Sequence, residues 1–382
     1  MGRIKVQQTK RLMLIGMVSG LTLPEALNEL QVGKARIFRN PAAIRIPGAP
    51  PELAANTAIY SGEGKDRHLT GEVATYLIEC VIDTAGGQLG NTRIGGSGSV
   101  MIGMMADSDG VTINTGERPH SAVSISAPLG KAWDTPSRMQ GEFNRAILPL
   151  RLLTKGRILV FPASILAYES RQTILDTGVN GSCPEPLGTG LKVALSSDDC
   201  RVIEDFSKLL TKKNLNDFEV PMFLFSRSFY KTDTVDRALD LITTLESLLS
   251  GGPESIAYKI AFRASCLTSK DEEERWRIFR FTKEIYKHRN SLVHGNKKTL
   301  AKARSALAQE MEQVEELTRN CLKLACLLEV MRLKLPSGQT VDMRKEESID
   351  EYLLTHCLNK RSPTPLDDFP IVGKLGRFTR VL

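Results

Sequence analysis

Arg289, Asn290 and His294 lie within six consecutive residues and could act together on a phosphodiester. The planar guanidinium of arginine donates two parallel hydrogen bonds to phosphate oxygens. Histidine transfers protons because its unperturbed pKa lies near neutrality, and an asparagine amide can orient an imidazole or donate to a phosphate oxygen. These residue types suit metal-independent cleavage of RNA, in which a base activates the 2′-OH and an acid protonates the leaving 5′-oxygen.

These residues close a stretch, residues 271–295, that is predicted to be a helix. Asp271 and the three glutamates after it suit the positive end of the helix dipole, and Gly295 suits the exit from a helix. At about 100° per residue, one apolar stripe contains Ile278, Phe281, Ile285, Leu292 and Val293. Arg289 falls inside this stripe, where a charge is costly unless it is paired.

A second, mostly basic stripe runs beside the apolar one and contains Trp276, Arg280, Lys283, Lys287, Asn290 and His294. Within it, Arg280, Lys283 and Lys287 are predicted to bind RNA. Arg289 and His294 are about 140° apart, so only the long arginine side chain brings the two near one phosphate. The alternative interpretation is that His294 caps the helix and that the basic stripe is a solvated face.

Glu246 is the predicted partner of Arg289. A helix from Asp233 or Thr234 to Leu249 has its own apolar stripe, and Glu246 lies inside that stripe. Two neighbouring helices thus each carry one charge, of opposite sign, on a core-facing stripe. One interpretation is that this ion pair has a purely structural role and holds the helical bundle in register. The other is that Glu246 fixes Arg289 for contact with a phosphate, and the two roles are compatible.

Four segments in this order resemble the Apea-like family of HEPN ribonucleases: residues 241–249 (LITTLESLL), residues 256–263, Glu274–Arg275 with Ile278–Phe279, and residues 286–295. The last segment carries the motif R-x4-H, and the resemblance covers roughly residues 223–333. It implies an all-α HEPN-like helical bundle and an endoribonuclease that cleaves single-stranded RNA. Its catalytic residues would be Arg289, Asn290 and His294, supported by Glu246.

The resemblance also implies a homodimer, because one helix supplies one histidine and the reaction needs both an acid and a base. The products would carry 2′,3′-cyclic phosphate or 3′-phosphate ends and 5′-OH ends. His288 is interpreted as non-catalytic. Relatives of this kind act in antiphage and abortive-infection defence, which suggests a toxic effector that the first half of the chain restrains. The alternatives are a non-catalytic module that dimerises and binds RNA, nucleotide or protein, and the toxin of a toxin–antitoxin pair.

The amino-acid composition is that of an ordinary soluble protein, and the length of the chain suits two domains. The 382 residues are 41% hydrophobic and 25% charged, and the net charge of +7 permits RNA as a partner without requiring it. Seven cysteines without C-x-x-C spacing argue against a disulfide framework or a zinc site and favour the cytoplasm. No metal and no cofactor are expected. The apolar run at residues 12–23 is too short to span a membrane, and we interpret it as part of a folded domain rather than a secretion signal.

The overall fold class is predicted to be α+β, with a mixed or β-rich domain at residues 1–195, the helical domain at residues 217–340, and a C-terminal helix and tail at residues 341–382. β-favouring runs lie at residues 75–82, 100–104, 121–125 and 157–161. The Gly-rich residues 62–65 and 86–98 are predicted to be loops, since neither segment has the residue order G-x-x-x-x-G-K-[ST] of a phosphate-binding loop. A single long helix is predicted over residues 299–335.

Overall fold

The computed structural model describes residues 11–39 apart from residue 28, short strands between residues 60 and 125, and residues 135–167, 173–176, 193–211, 215, 218–294, 297–343 and 345–357. Outside these ranges lie both Gly-rich segments, the predicted helix exit at Gly295, the linker at residues 178–190 and the C-terminal tail.

The chain forms two compact units, one made of Met1–Ala146 with Leu159–Thr189 and the other of Ile147–Ile158 with Gly190–Leu382. Most strands belong to the first unit and most helices to the second, as an α+β chain requires. The boundary differs from the one inferred from sequence in two ways. Residues Ile147–Ile158 belong to the helical unit, and so does the C-terminal helix, which was predicted to be a separate region.

The first unit is built around a six-stranded antiparallel sheet. The strands in the described part of the chain are β1 (Arg11–Ser19), β2 (Leu21–Thr22), β3 (Glu29–Val32), β4 (Ala35–Arg39), β5 (Tyr60–Ser61), β6 (His68–Leu69), β7 (Tyr76–Asp83), β8 (Ile102–Asp107), β9 (Gly110–Thr115), β10 (Val123–Ile125), β11 (Leu159–Ala167), β12 (Thr173–Asp176) and β13 (Val193–Ala194). The six strands of the large sheet follow the spatial order β12-β11-β1-β7-β4-β3. A second sheet has the order β10-β9-β8, and β5 pairs with β6.

Strand β1 accounts for most of the apolar run at residues 12–23. It lies inside the six-stranded sheet, and its alternate residues Leu14 and Val18 are buried, as the two-residue period of a strand requires. Pro24-Glu25-Ala26 is typical of the opening of a helix, but these residues do not begin one. The Leu27 N–H donates to the Pro24 carbonyl in a turn, and the chain then continues into β3, because the alternation of Leu30 and Val32 favours a strand.

Ten helices lie within the described part of the chain, eight of them wholly beyond residue 190. They are α1 (Thr135–Ala146), α2 (Leu148–Leu153), α3 (Ser197–Thr211), α4 (Glu219–Ser228), α5 (Thr234–Leu249), α6 (Ile256–Thr268), α7 (Glu272–Val293), α8 (Lys297–Gln309), α9 (Met311–Met331) and α10 (Glu346–Tyr352), which continues as a π-helical turn at Leu353–Cys357. Helix α1 packs on β11, and Phe143 is its fully buried side chain.

Local capping sets the starts of the helices that matter most for the site. The Asp233 side chain accepts hydrogen bonds from the backbone at the start of α5, and Asp271 accepts from the Glu274 N–H at 2.8 Å at the start of α7. Both starts agree with the sequence prediction. At α3 the cap is Ser196, which exchanges hydrogen bonds with Asp199, although Ser197 and Asp198 are also residue types that suit a cap.

The prediction of one long helix at residues 299–335 is wrong, because the chain bends at Glu310 and forms α8 and α9. The bend lets α8 pack on α5 and α7 while α9 packs against α2, α5 and α6. Helix α9 is consequently buried on nearly all sides between Val314 and Leu328. It ends at Arg332, whose φ of 50° takes the chain out of the helix.

Arg263 fastens α10 to the helical unit. Its side chain is 1% exposed and forms ion pairs with Asp350 at 2.9 Å and with Glu346 at 3.0 Å. It also donates to the carbonyls of Leu249 and Ser250 at the end of α5. One guanidinium therefore joins α5, α6 and α10, which explains why the C-terminal helix belongs to the helical unit.

Candidate functional site

Helix α7 carries the candidate residues, and its last turn leaves the core. Ile278 and Ile285 are buried as predicted, but Val293 is 55% exposed. The predicted apolar stripe therefore ends before the last turn of the helix. As a result, His294, the residue that follows α7, is exposed rather than covered by the bundle.

Arg289 and Glu246 form the contact that the two apolar stripes predict. The Arg289 Nη2 donates to Glu246 Oε2 at 3.0 Å, and the two side chains are only 20% and 23% exposed. Tyr286 donates its hydroxyl to the other Glu246 oxygen at 3.3 Å, and the Arg289 guanidinium lies 5.6 Å from the centre of the Tyr286 ring. Burial and the nearby carboxylate raise the pKa of the Tyr286 hydroxyl, so it stays protonated as a donor.

The orientation of Asn290 follows from its hydrogen bond with Arg289. The Arg289 Nη1 donates to Asn290 Oδ1 at 3.1 Å. Because a guanidinium has no acceptor, the amide oxygen must be the atom that faces it. The Asn290 Nδ2 group forms no hydrogen bond within the described residues, and Asn290 lines two surface depressions. Arg289 thus leaves an amide N–H₂ free to donate to a ligand oxygen.

Two adjoining depressions follow the outer side of α7. One is an open depression of about 490 Å³, lined by residues of α7 and by the start of α6, including Tyr258. The other encloses about 510 Å³ and is lined from Lys283 to His294. Both are lined by Lys283 and Asn290, so they form one open surface, which we call the α7 groove. Arg289 does not line it and lies behind Asn290.

His294 closes the far end of the α7 groove. Its backbone N–H donates to the Asn290 carbonyl at 3.0 Å, so the main chain caps the helix. Within the described residues the imidazole itself forms no hydrogen bond or ion pair, which leaves it available to a ligand. By contrast, His288 is buried, with Nε2 at 3.5 Å from Glu284 Oε1, and does not line the groove.

The three predicted RNA-binding cations are exposed on one side of α7. Lys283 and Lys287 line the groove, and Arg280 lies one turn before Lys283. Lys287 has Glu284 at 3.4 Å, an exposed pair of small energetic value. In the part of the chain that the structure describes, Arg280 and Lys283 form no ion pair with a carboxylate.

Other kinds of site find little support among the described residues. No group of three His, Cys, Asp or Glu side chains there could hold a metal ion, and none of the described helices is long and apolar enough to cross a membrane. Cys200, Cys266, Cys321 and Cys326 are buried free thiols. Burial raises the pKa of Cys200 to about 11 and that of Cys326 to about 12, so both stay protonated and unreactive.

No protein-family model, curated protein or solved structure matches this chain. The resemblance to the Apea-like HEPN family therefore stays a prediction that rests on the four sequence segments. The geometry of α5, α6 and α7 is an independent observation. It brings Glu246, Arg289, Asn290 and His294 to one end of α7, with Lys283 and Lys287 along the same groove.

Two residues of this site were not predicted from the sequence. Tyr286, a second hydrogen-bond partner of Glu246, could have been found because it lies one helical turn before Asn290. Tyr258 lines the groove from α6, and no spacing along α7 could have indicated it.

Proposed function

We propose that the helical unit is a metal-independent endoribonuclease of the HEPN type that cleaves single-stranded RNA through attack by the 2′-OH. The observation that carries the proposal is the shared groove of Asn290 and His294, with Arg289 held behind Asn290 by Glu246. His294 is the proton-transfer group, Asn290 donates to a phosphate oxygen, and Lys283 and Lys287 attract the backbone.

Arg289 has two possible ways to stabilise the charged phosphorane. The second hydrogen of Nη1 or Nη2 can reach a phosphate directly, because the side chain keeps 20% of its surface exposed, whereas the buried Nε is out of reach. It also polarises Asn290 through the 3.1 Å hydrogen bond, which makes the amide a better donor. Either route needs the Glu246 carboxylate, because a partly buried guanidinium without a partner would be costly.

The reaction needs a second proton-transfer group, which we assign to a second copy of the chain. A symmetric dimer would bring two α7 grooves together, with the imidazole of one copy acting as base and that of the other as acid. Sedimentation of the purified chain should give the mass of a dimer. Mixing the His294→Ala and Arg289→Ala variants should leave activity unrestored. Every composite site needs two imidazoles, and a mixed dimer has only one.

Cleavage should be measured on 5′-labelled single-stranded RNA in the presence of a metal chelator. The wild-type chain is expected to give 2′,3′-cyclic phosphate or 3′-phosphate ends. His294→Ala should lower the rate by about 10²- to 10⁴-fold, and Arg289→Ala should lower it comparably. His288→Gln is the matched control, since this histidine lies on the same helix but outside the groove. Equal cleavage by the His294→Ala and wild-type chains would rule out the assignment.

A second candidate function is RNA binding without cleavage, because both Arg289 amino groups are already engaged by protein atoms. It predicts salt-sensitive RNA binding and no product in the same assay.

We further propose that an active nuclease serves as a regulated toxic effector in antiphage or abortive-infection defence, or as the toxin of a toxin–antitoxin pair. Growth arrest by the wild-type chain but not by His294→Ala in a bacterial host would support either role.

Restraint by the first half should be tested in the full chain. A fragment that begins at residue 217 would lack α2 and α3, which belong to the helical unit. It would also lose the Arg151 carbonyl, which accepts a hydrogen bond from the buried Arg319 at 2.9 Å. Such a fragment could be inactive simply because its core is incomplete.

A further inference from the structure

A row of three aromatic rings lies on the outer surface where α6 and α7 meet. Tyr258 and Trp276 are each 55% exposed. Phe279 stands between them, with ring centres 5.6 Å from Tyr258 and 5.7 Å from Trp276, and both pairs are nearly perpendicular. Large aromatic side chains left in water as a contiguous patch indicate a binding surface.

Two cations accompany these rings. The Arg280 guanidinium lies 6.0 Å from the centre of the Trp276 ring, and the Lys283 Nζ lies 5.6 Å from the centre of the Phe279 ring. Neither cation forms an ion pair with a described carboxylate, so both charges are available to an anion. Aromatic rings alternating with unneutralised cations suit a single-stranded nucleic acid, whose bases stack while its phosphates are neutralised.

The aromatic row continues into the α7 groove. Tyr258 and Lys283 line the same depression as Asn290, and Lys283 and Asn290 also line the one that reaches His294. His294 lies 18 positions after Trp276 along the chain, which is about 27 Å of helix. A strand that follows this side of α7 would have its bases on the rings and one end at Asn290 and His294.

We propose that Tyr258, Phe279 and Trp276 form a base-stacking platform that holds single-stranded RNA beside the cleavage site. The proposal rests on the proposed function for the identity of the ligand, and it adds the surface that selects single strands. Bases stack on the exposed rings of Trp276 and Tyr258, and Arg280 and Lys283 bind the phosphates between them. Duplex RNA is rejected because its paired and stacked bases offer no free faces to the rings.

The platform can be tested by binding alone, with a fluorescein-labelled 2′-O-methyl oligouridine of about 12 nucleotides. This strand lacks the attacking hydroxyl and cannot be cleaved. In the full chain, Trp276→Ala and Tyr258→Ala should each weaken its binding by at least about fivefold. Phe223→Ala is the matched control, because Phe223 is 53% exposed and has its own cation, Arg227, at 5.5 Å on α4. It should leave the affinity unchanged.

Tryptophan emission gives a second measurement. The chain has two tryptophans, and Trp133→Phe leaves Trp276 as the single reporter. Stacking of a base on the indole should quench its emission when the single strand is added, and the matched duplex should not. Unchanged emission, or an affinity that Trp276→Ala alters no more than Phe223→Ala does, would overturn the platform. So would a Trp276→Ala chain that loses only its dimer mass in sedimentation, since the rings would then cover a second copy.

Failure of the platform and failure of the nuclease give different results. If the wild-type chain cleaves RNA and Trp276→Ala changes neither cleavage nor binding, the platform is wrong and the nuclease stands. If the wild-type chain never cleaves RNA, but Trp276→Ala and Tyr258→Ala lose the 2′-O-methyl strand, the platform stands and the nuclease is wrong.

Discussion

Asn290→Asp separates the stability of the site from its activity. The change keeps the size of the side chain and places a carboxylate oxygen where Oδ1 accepts from Arg289 Nη1 at 3.1 Å. It removes the Nδ2 donor that the proposed mechanism uses on the phosphate. It also brings a negative charge to the groove, which repels the phosphate itself.

The expected change in stability is small because two effects of opposite sign nearly cancel. A hydrogen bond from a cation to a carboxylate is stronger than one to an amide by about 1 kcal/mol. Asn290 lies in the last turn of α7, where a carboxylate opposes the helix dipole by about 0.3–1 kcal/mol. Repulsion from Glu246 acts in the same direction as the dipole. The free energy of unfolding should therefore change by less than about 1 kcal/mol.

The rate of RNA cleavage should fall by about 10²- to 10³-fold, the usual effect of losing one donor to a developing oxyanion. Urea denaturation gives the stability and labelled RNA gives the rate. Asn290→Ala is the control, because it removes the acceptor of Arg289 as well as the donor, and it should lose both stability and activity. Wild-type cleavage by Asn290→Asp would refute the assigned role of Nδ2. A loss of more than about 2 kcal/mol of stability would show that Oδ1 does not face Arg289.

Two further predictions concern buried charges of the helical unit. Arg263→Met should lower the free energy of unfolding, measured in urea, by about 3 kcal/mol, because two carboxylates lose a buried partner. The control Lys259→Met removes a pair with Glu346 at 2.7 Å and should lower the free energy of unfolding far less. Equal losses by the two variants would contradict this explanation. Burial and the nearby Arg319 lower the pKa of Lys323 to about 7 from an ordinary value of 10.5. Between pH 7 and pH 10.5 the folded chain therefore binds fewer protons than the unfolded chain. Its stability relative to Lys323→Met should therefore rise from pH 7 to pH 10, and a flat difference would refute the lowered pKa.

Local signals explain what the sequence could predict. The starts of α5 and α7 follow from Asp233 and Asp271, which cap the helices that they precede. The contact between Glu246 and Arg289 follows from one further step, namely that opposite charges on two apolar stripes need each other. These inferences use spacing within a helix or a single pair of helices, which a sequence records directly.

Helix α9 shows why other features could not be predicted. Its charged residues Glu315, Glu316 and Arg319 look like a solvated face in the sequence, yet all three are buried. Arg319 pairs with Glu315 and Glu316 inside the helix, but each glutamate also has a partner from far along the chain. Arg237 pairs with Glu315, and Lys155 pairs with Glu316 at 2.7 Å. No periodicity within α9 indicates such partners, so the helix looks amphipathic although it is buried on nearly all sides.

Position 289 suits an arginine rather than a lysine. One side chain must reach Glu246 on α5 and Asn290 on its own helix through two different nitrogens, 3.0 Å and 3.1 Å from their acceptors. A guanidinium holds these nitrogens in a fixed plane, so fixing one hydrogen bond also fixes the direction of the other. A lysine ammonium is a single point charge that could satisfy Glu246 while leaving Asn290 free to turn. The orientation of Asn290 in the groove is therefore determined by a carboxylate on a different helix.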